Sequence, residues 1–97
     1  MAVNTWDGAS DTAWTDAANW NTTGVTDRVP TSADEVIIPN VSNDPVIADG
    51  TNPEVVSITL EGSATLTCGN NNITVNGESS QYAFKGIGTV IPQTSTV

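Results

Sequence analysis

Val55-Val56-Ser57-Ile58-Thr59-Leu60-Glu61-Gly62-Ser63-Ala64-Thr65-Leu66-Thr67-Cys68 reads as two short strands joined by a turn. Within each half, apolar residues alternate with Ser or Thr, the period of two that sends one set of side chains inward and the other outward. Glu61-Gly62 breaks the pattern with turn chemistry, because Gly tolerates positive φ. Similar β-branched runs recur on both sides: Glu35-Val36-Ile37-Ile38, Pro45-Val46-Ile47-Ala48, Asn72-Ile73-Thr74-Val75 and Thr89-Val90-Ile91. Between them lie Pro39-Asn40, Ser42-Asn43-Asp44-Pro45, Asp49-Gly50-Thr51-Asn52-Pro53, Gly69-Asn70-Asn71 and Asn76-Gly77, all turn formers. The chain is therefore expected to be all-β. The one helical signal is Thr15 or Asp16 ahead of Ala17-Ala18, and Asn19 to Gly24 limits it to a single turn.

Two arrangements can use such strands. Asn76-Gly77 and Glu61-Gly62 resemble hairpin turns, which would build a small antiparallel β-sandwich or barrel. The apolar centres near Ile37, Ile58, Ile73 and Val90 instead recur at roughly 15 to 21 residues, the size of one coil of a parallel β-solenoid. Stacked coils also let Thr and Asn pack on their own kind, which accounts for their abundance. The solenoid is the favoured expectation.

The 97 residues allow one domain, and with 37% hydrophobic residues the core is modest. Eleven acids face only Arg28 and Lys85, for a net charge of −9. Two isolated cations cannot release the counterions of a phosphate backbone, so no nucleic-acid partner is expected, and an anionic membrane would repel the chain. The acids are spread singly, as in a solvating surface. Cys68 stands alone, so no internal disulfide forms, and its neighbours suggest a buried thiol. Met1-Ala2-Val3-Asn4 has neither a basic segment nor an apolar run, so no signal peptide is expected, and no run reaches transmembrane length.

Residues 1–34 differ from the rest, holding Trp6, Trp14 and Trp20 among Asp, Thr, Ala and Asn. Large rings in a segment poor in aliphatics suggest a cap closing one end of the fold, with Trp14 and Trp20 in its core. Trp6, beside the chain start, is the candidate anchor for a neighbouring chain. The single domain then divides into the cap (1–34), β-coils (35–78) and a C-terminal strand or arm (79–97) whose Ile87, Val90 and Ile91 are further interface candidates.

The stretch Thr5-Trp6-Asp7-Gly8, Asp11-Thr12-Ala13-Trp14, Ala17-Ala18-Asn19-Trp20 and Arg28-Val29-Pro30-Thr31-Ser32-Ala33-Asp34-Glu35-Val36-Ile37-Ile38-Pro39 resembles the opening of bacterial right-handed β-helix surface proteins. There a Trp-rich cap precedes a Val-Pro-Thr-Ser-Ala-Asp segment and the first coil. The resemblance covers about the first 47 residues. It implies a right-handed coil stack with an N-terminal cap, in adhesins or surface structures. Such proteins repeat many coils, whereas this sequence supplies about three, and residues 79–97 depart from the pattern. A short stack ends on strand edges that need a partner.

No His is present, which removes the usual general base, the activating imidazole and the commonest metal ligand. A Ser-, Cys- or His-based hydrolase is excluded. Carboxylate pairs such as Asp34 with Glu35, or Glu54 with Glu61, are the remaining acid–base option, but neighbours on a strand point to opposite faces. The chain is expected not to be an enzyme and to need no cofactor. Calcium is the one ion to weigh: Asp7, Asp11 and Asp16, or Asp44, Asp49 and Glu54, offer oxygen ligands, yet neither run follows the Asp-x-Asp-x-Asp-Gly loop. Turn and capping roles fit these residues better. Sequons at Asn21, Asn40 and Asn72 arise readily by chance in a chain this rich in Asn and Thr.

These readings point to a structural protein that packs against other chains. The leading expectation is a capsid decoration or cement protein of a bacterial virus, located in the virion, as a homo-oligomer with a trimer favoured, on a major capsid protein, or both. A secreted bacterial adhesin or filament subunit at the cell surface is the alternative that the resemblance supports. A carbohydrate-binding module with exposed Trp rings is a third.

Overall fold

A computed structural model describes residues 2–75 and the backbone of residues 84–86 and 89–91. The protein is all-β, with strands β1 (Ala2–Trp6), β2 (Trp20–Thr22), β3 (Asp34–Ile38), β4 (Glu54–Val55), β5 (Ser57–Leu60), β6 (Thr65–Thr67), β7 (Thr74–Val75), β8 (Phe84–Gly86) and β9 (Thr89–Ile91). A single 3-10 turn, Ala17–Asn19, follows Asp16, whose side chain accepts from the Ala18 N–H at 3.0 Å. This is the one helical turn that the sequence predicts.

The strands form three sheets. The largest runs β2-β1-β3-β5-β8, the second pairs β6 with β9, and the third pairs β4 with β7. Bridges Ala13–Val46 and Val46–Thr67 extend the second sheet back to the N-terminal region. The chain visits the sheets in rotation: β3, Val46 and β4, then β5, β6 and β7, then β8 and β9. Among the described residues every pairing is parallel except β1 with β2. The hairpin expected at Glu61-Gly62 is therefore absent: Gly62, at φ 58°, turns the chain out of β5 towards β6 in a different sheet. The expected hairpin at Asn76-Gly77 lies outside the described residues.

Register also redistributes the four apolar centres. Val36 pairs with Ile58 and Ile58 with Phe84 in the first sheet, Leu66 with Val90 in the second, and Ile73 directly precedes β7 of the third. The run Val55–Leu60 is two strands in two sheets, with Val56 at the corner between them. Residues 79–97, read as leaving the pattern, supply β8 and β9, which pair in parallel with β5 and β6.

Alternation decides what is buried. In β3, Asp34, Val36 and Ile38 point inward, and in β5 Ile58 and Leu60 do. With Ile47, Val55, Ala64, Leu66, Cys68 and Ile73 they form one core. Each fully buried aliphatic side chain contributes about 1.5–3 kcal/mol, so this row is the main stabilising term. The N-terminal end of the core is aromatic: the Trp6 and Trp20 ring centres lie 5.1 Å apart and those of Trp14 and Trp20 4.9 Å apart, both edge to face.

Candidate functional site

Trp14 and Trp20 are buried side by side, and the Trp20 Nε1–H donates to the Trp14 carbonyl at 2.8 Å. Trp6 corrects the expectation of an interface anchor. It is wholly buried, and its Nε1–H donates to the Asn43 carbonyl at 2.6 Å, because inward alternation along β1 sends it under the loop at residue 43. Asn43 returns a bond from Nδ2 to the Gly8 carbonyl, and a Cβ on Gly8 would lie 2.8 Å from the Asn43 oxygen. No indole face is left for stacking on a sugar. Val90 and Ile91 fall in β9 and pair with Leu66 and Thr67 of this chain; Ile87 lies outside the described residues.

The candidate calcium ligands are engaged in turns. Asp7 accepts from Ala9 N–H, Asp16 from Ala18 N–H, and Asp49 from Asn70 N–H and Nδ2. The Ala13 N–H, then the Asn19 amide, hold Asp11 below the usual carboxylate range. Buried Asn19 organises this loop, accepting from Ser10 and Asp11 N–H and donating to Asp11 Oδ1 and the Ala13 carbonyl. Asp44 Oδ1 and Trp14 Nε1 are buried without a partner among the described residues. Glu54 is exposed in β4, and among the described residues no three His, Cys, Asp or Glu side chains converge as a metal site would need.

Asp34 and Glu35 take opposite faces of β3. Asp34 is fully buried at its start, where Arg28 reaches it through Nη2 at 2.6 Å and Nε at 3.3 Å, and Thr31 N–H adds 2.9 Å. Burial alone would push its carboxyl up, but these bonds, the Arg28 charge and Asn4 outweigh it and hold it below the usual range. The pair ties the loop that carries Arg28 to the start of β3. Cys68 is buried, and loss of hydration pushes its thiol up. The sequon residues Asn21, Asn40 and Asn72 are all exposed.

Sequence reasoning passed over a polar ladder at one corner. Asn71, buried, takes the Asn52 N–H on Oδ1 at 2.8 Å and donates through Nδ2 to the Ala48 carbonyl at 3.1 Å, with Ile47 and Cys68 carbonyls also in reach. Asn52 Oδ1 accepts the Asn72 N–H at 2.9 Å, and Asp49 Oδ1 the Asn70 N–H at 2.8 Å. These partners are 19 to 21 residues apart in sequence. The signal lay in Asp49-Gly50-Thr51-Asn52 and Gly69-Asn70-Asn71-Asn72, two turns of like composition at that separation.

The two ends of the strand stack differ. In antiparallel pairing with β1, residue pairs alternate between bonding each other and facing away. Val3 and Thr23 bond each other, so Trp20 and Thr22 face outward on β2. Both outward N–H groups are taken within the chain: Trp20 N–H by the Ala17 carbonyl and Thr22 N–H by Asp27 Oδ1 at 2.9 Å. Asp27 also sets a negative charge against that edge. At the other end, β8 and β9 are the last strands of their sheets among the described residues. The β2 edge is thus blocked by a carboxylate and a carbonyl of the same chain.

Among the described residues no helix is long and apolar enough to cross a membrane. No curated protein and no solved structure matched the chain. A protein-family profile did match, across residues 5–87, from the first Trp-bearing strand through β8. The chain belongs to that family, described as a domain of unknown function (DUF8693).

Proposed function

We propose that the chain is a non-enzymatic structural module, a short right-handed parallel β-solenoid with an N-terminal Trp-rich cap, that assembles against other protein chains. Its partners are copies of itself, a major capsid protein, or both, and its setting is the virion, as a capsid decoration or cement protein. The observation that carries the reading is the contrast between the two ends: one edge is blocked by Asp27 and the Ala17 carbonyl, while among the described residues β8 and β9 are the outermost strands of their sheets. Proteins protect edges that must not pair, and the outermost strand of a sheet is where another chain adds on.

Parallel ladders in three sheets visited in rotation support the solenoid. The Asn52–Asn71–Asn72 ladder adds the like-on-like corner stacking that coils permit. The handedness rests on the resemblance of residues 5–47 to β-helix caps. The absence of His and the turn roles of the carboxylates support a non-catalytic reading. The same resemblance favours a second setting, a bacterial surface adhesin or filament subunit. Immunogold electron microscopy of native material with antibodies to the chain separates the two. Label on virus particles supports the capsid role, label on cell envelopes supports the adhesin, and label dispersed away from any assembly refutes both.

A further inference from the structure

Asp44-Pro45 is the one Asp-Pro pair in the sequence. Every other aspartate of the chain takes an N–H donor on a carboxylate oxygen. Asp44 Oδ1 has no partner among the described residues and is shut away from water as well. An oxygen neither hydrated nor hydrogen-bonded keeps its lone pairs for attack. Its target is adjacent, because an Asp carboxyl that closes on its own main-chain carbonyl carbon forms a five-membered ring. The bond under attack is held on both sides. Ahead of it, the Asn43 carbonyl takes the Trp6 Nε1–H at 2.6 Å, and Asn43 Nδ2 donates to the Gly8 carbonyl. Behind it, Pro45 is buried, and its carbonyl takes the Thr67 N–H at 3.2 Å. The leaving atom is the Pro45 nitrogen, which carries no N–H and so gives up no backbone bond.

From these we infer that Asp44-Pro45 is a site of self-scission, a single-turnover event of the chain on itself. An Asp44 carboxylate oxygen attacks the Asp44 carbonyl carbon, and the C–N bond to Pro45 breaks. The nitrogen takes a proton from solvent acid and leaves as a secondary amine. Water then opens the cyclic anhydride to a free Asp44 C-terminus. The net change is hydrolysis of one peptide bond, with nothing oxidised or reduced. The cut falls between β3 and β5, which stay paired, with Val56 N–H on the Asp34 carbonyl and Glu61 N–H on the Ile38 carbonyl. Residues 1–44 and 45–97 therefore remain joined through the first sheet, and the Trp-bearing part is held by strand pairing alone.

The test incubates the full chain in mildly acidic buffer, folded or with urea, and reads intact mass after denaturation. The expected pieces are residues 1–44 and 45–97, formed at least about tenfold faster folded than in urea, where the pair has only its ordinary acid lability. Asp44→Ala and Asp44→Glu, the second needing a six-membered ring, should both abolish the cut, and Trp emission verifies that they fold. Hydroxylamine added during the reaction should be captured as a hydroxamate on the 1–44 piece, the mark of an anhydride. An uncut chain, a cut elsewhere, a cut no faster folded than in urea, or one that persists in either variant overturns the inference. So does a 1–44 piece that never captures hydroxylamine. Where a variant fails to fold, the folded-against-urea ratio of the unaltered chain decides alone.

Discussion

Replacing Asn71 by Asp changes one atom in shape and reverses its chemistry. The amide nitrogen of Asn71 faces the Ile47, Ala48 and Cys68 carbonyls, and its oxygen takes the Asn52 N–H. In Asn71→Asp the oxygen can keep its bond, but a second oxygen, ionised at neutral pH, now faces three carbonyl dipoles in a buried corner. Each lost hydrogen bond is worth about 1 kcal/mol net, and leaving buried groups unpaired adds about 1–3 kcal/mol more. The expected loss is about 3–5 kcal/mol at pH 7, a large share of the roughly 5–15 kcal/mol that holds a domain together. Asn71→Leu loses the same bonds without the charge, and about 2–3 kcal/mol is expected. Asn70→Ala, at an exposed position, keeps the backbone N–H bond to Asp49 and loses only the 3.3 Å Nδ2 one, and should stay within about 1 kcal/mol.

The pH dependence makes the reasoning refutable. The new carboxyl is easier to protonate folded than unfolded, because only the neutral acid can donate to a carbonyl. Its folded pKa is therefore raised. The deficit against the wild type is fully present above that folded pKa and shrinks as pH falls towards the unfolded value near about 4. Urea titrations followed by Trp emission, at neutral and mildly acidic pH, give the difference directly. A deficit under about 1 kcal/mol at pH 7, or one that does not shrink on acidification, would show that the Asn71 amide does not hold this corner together.

Asp34 runs in the opposite direction: its folded pKa is lowered, so its contribution is present above the unfolded value and is lost as pH falls through the folded one. Wild type should lose urea resistance on acidification more steeply than Asp34→Asn. Arg28→Ala, which strands a buried carboxylate beside a half-exposed partner site, should cost about 2 kcal/mol at neutral pH in the same titration. Gly69→Ala places a Cβ 2.6 Å from Asp49 Oδ1 and 2.7 Å from the Ile47 carbonyl at φ 63°, and a loss of about 2–3 kcal/mol is expected by thermal melting. Gly24→Ala, at φ 74° in open space, should lose only about 1 kcal/mol, the cost of backbone strain alone. Acrylamide should quench native Trp emission weakly, since all three indoles are buried, and one readily quenched ring would contradict this packing.

The period-two runs were legible because alternation is a local property: β3, β5, β6 and β9 each lie within a run picked out by Val, Ile and Thr. Topology was less so. Val55-Val56-Ser57-Ile58 looks continuous in sequence, yet the corner at Val56 sends its two halves to different sheets, and corners of this kind need neither Gly nor Pro. Strands β1 and β2 were hidden because the end of the stack buries Asn4, Trp6, Trp20 and Thr22 in place of aliphatics. Asn4 is tolerated there only through bonds formed across the fold, from Nδ2 to the Arg28 carbonyl and from Thr22 to its oxygen.

The same distinction explains the fate of the interface candidates. Trp6 was read as accessible because of its place near the chain start, but exposure is set by which face of a strand a residue occupies, and β1 buries its even-numbered Asn4 and Trp6. The features that make the ends unlike are backbone groups and one carboxylate, Asp27, whose role depends on β2 being antiparallel to β1 and thus presenting Thr22 N–H to the outside. A parallel β2 would face a different set of groups outward. Reversal of that single strand lets Asp27 and the Ala17 carbonyl close the outer edge of β2.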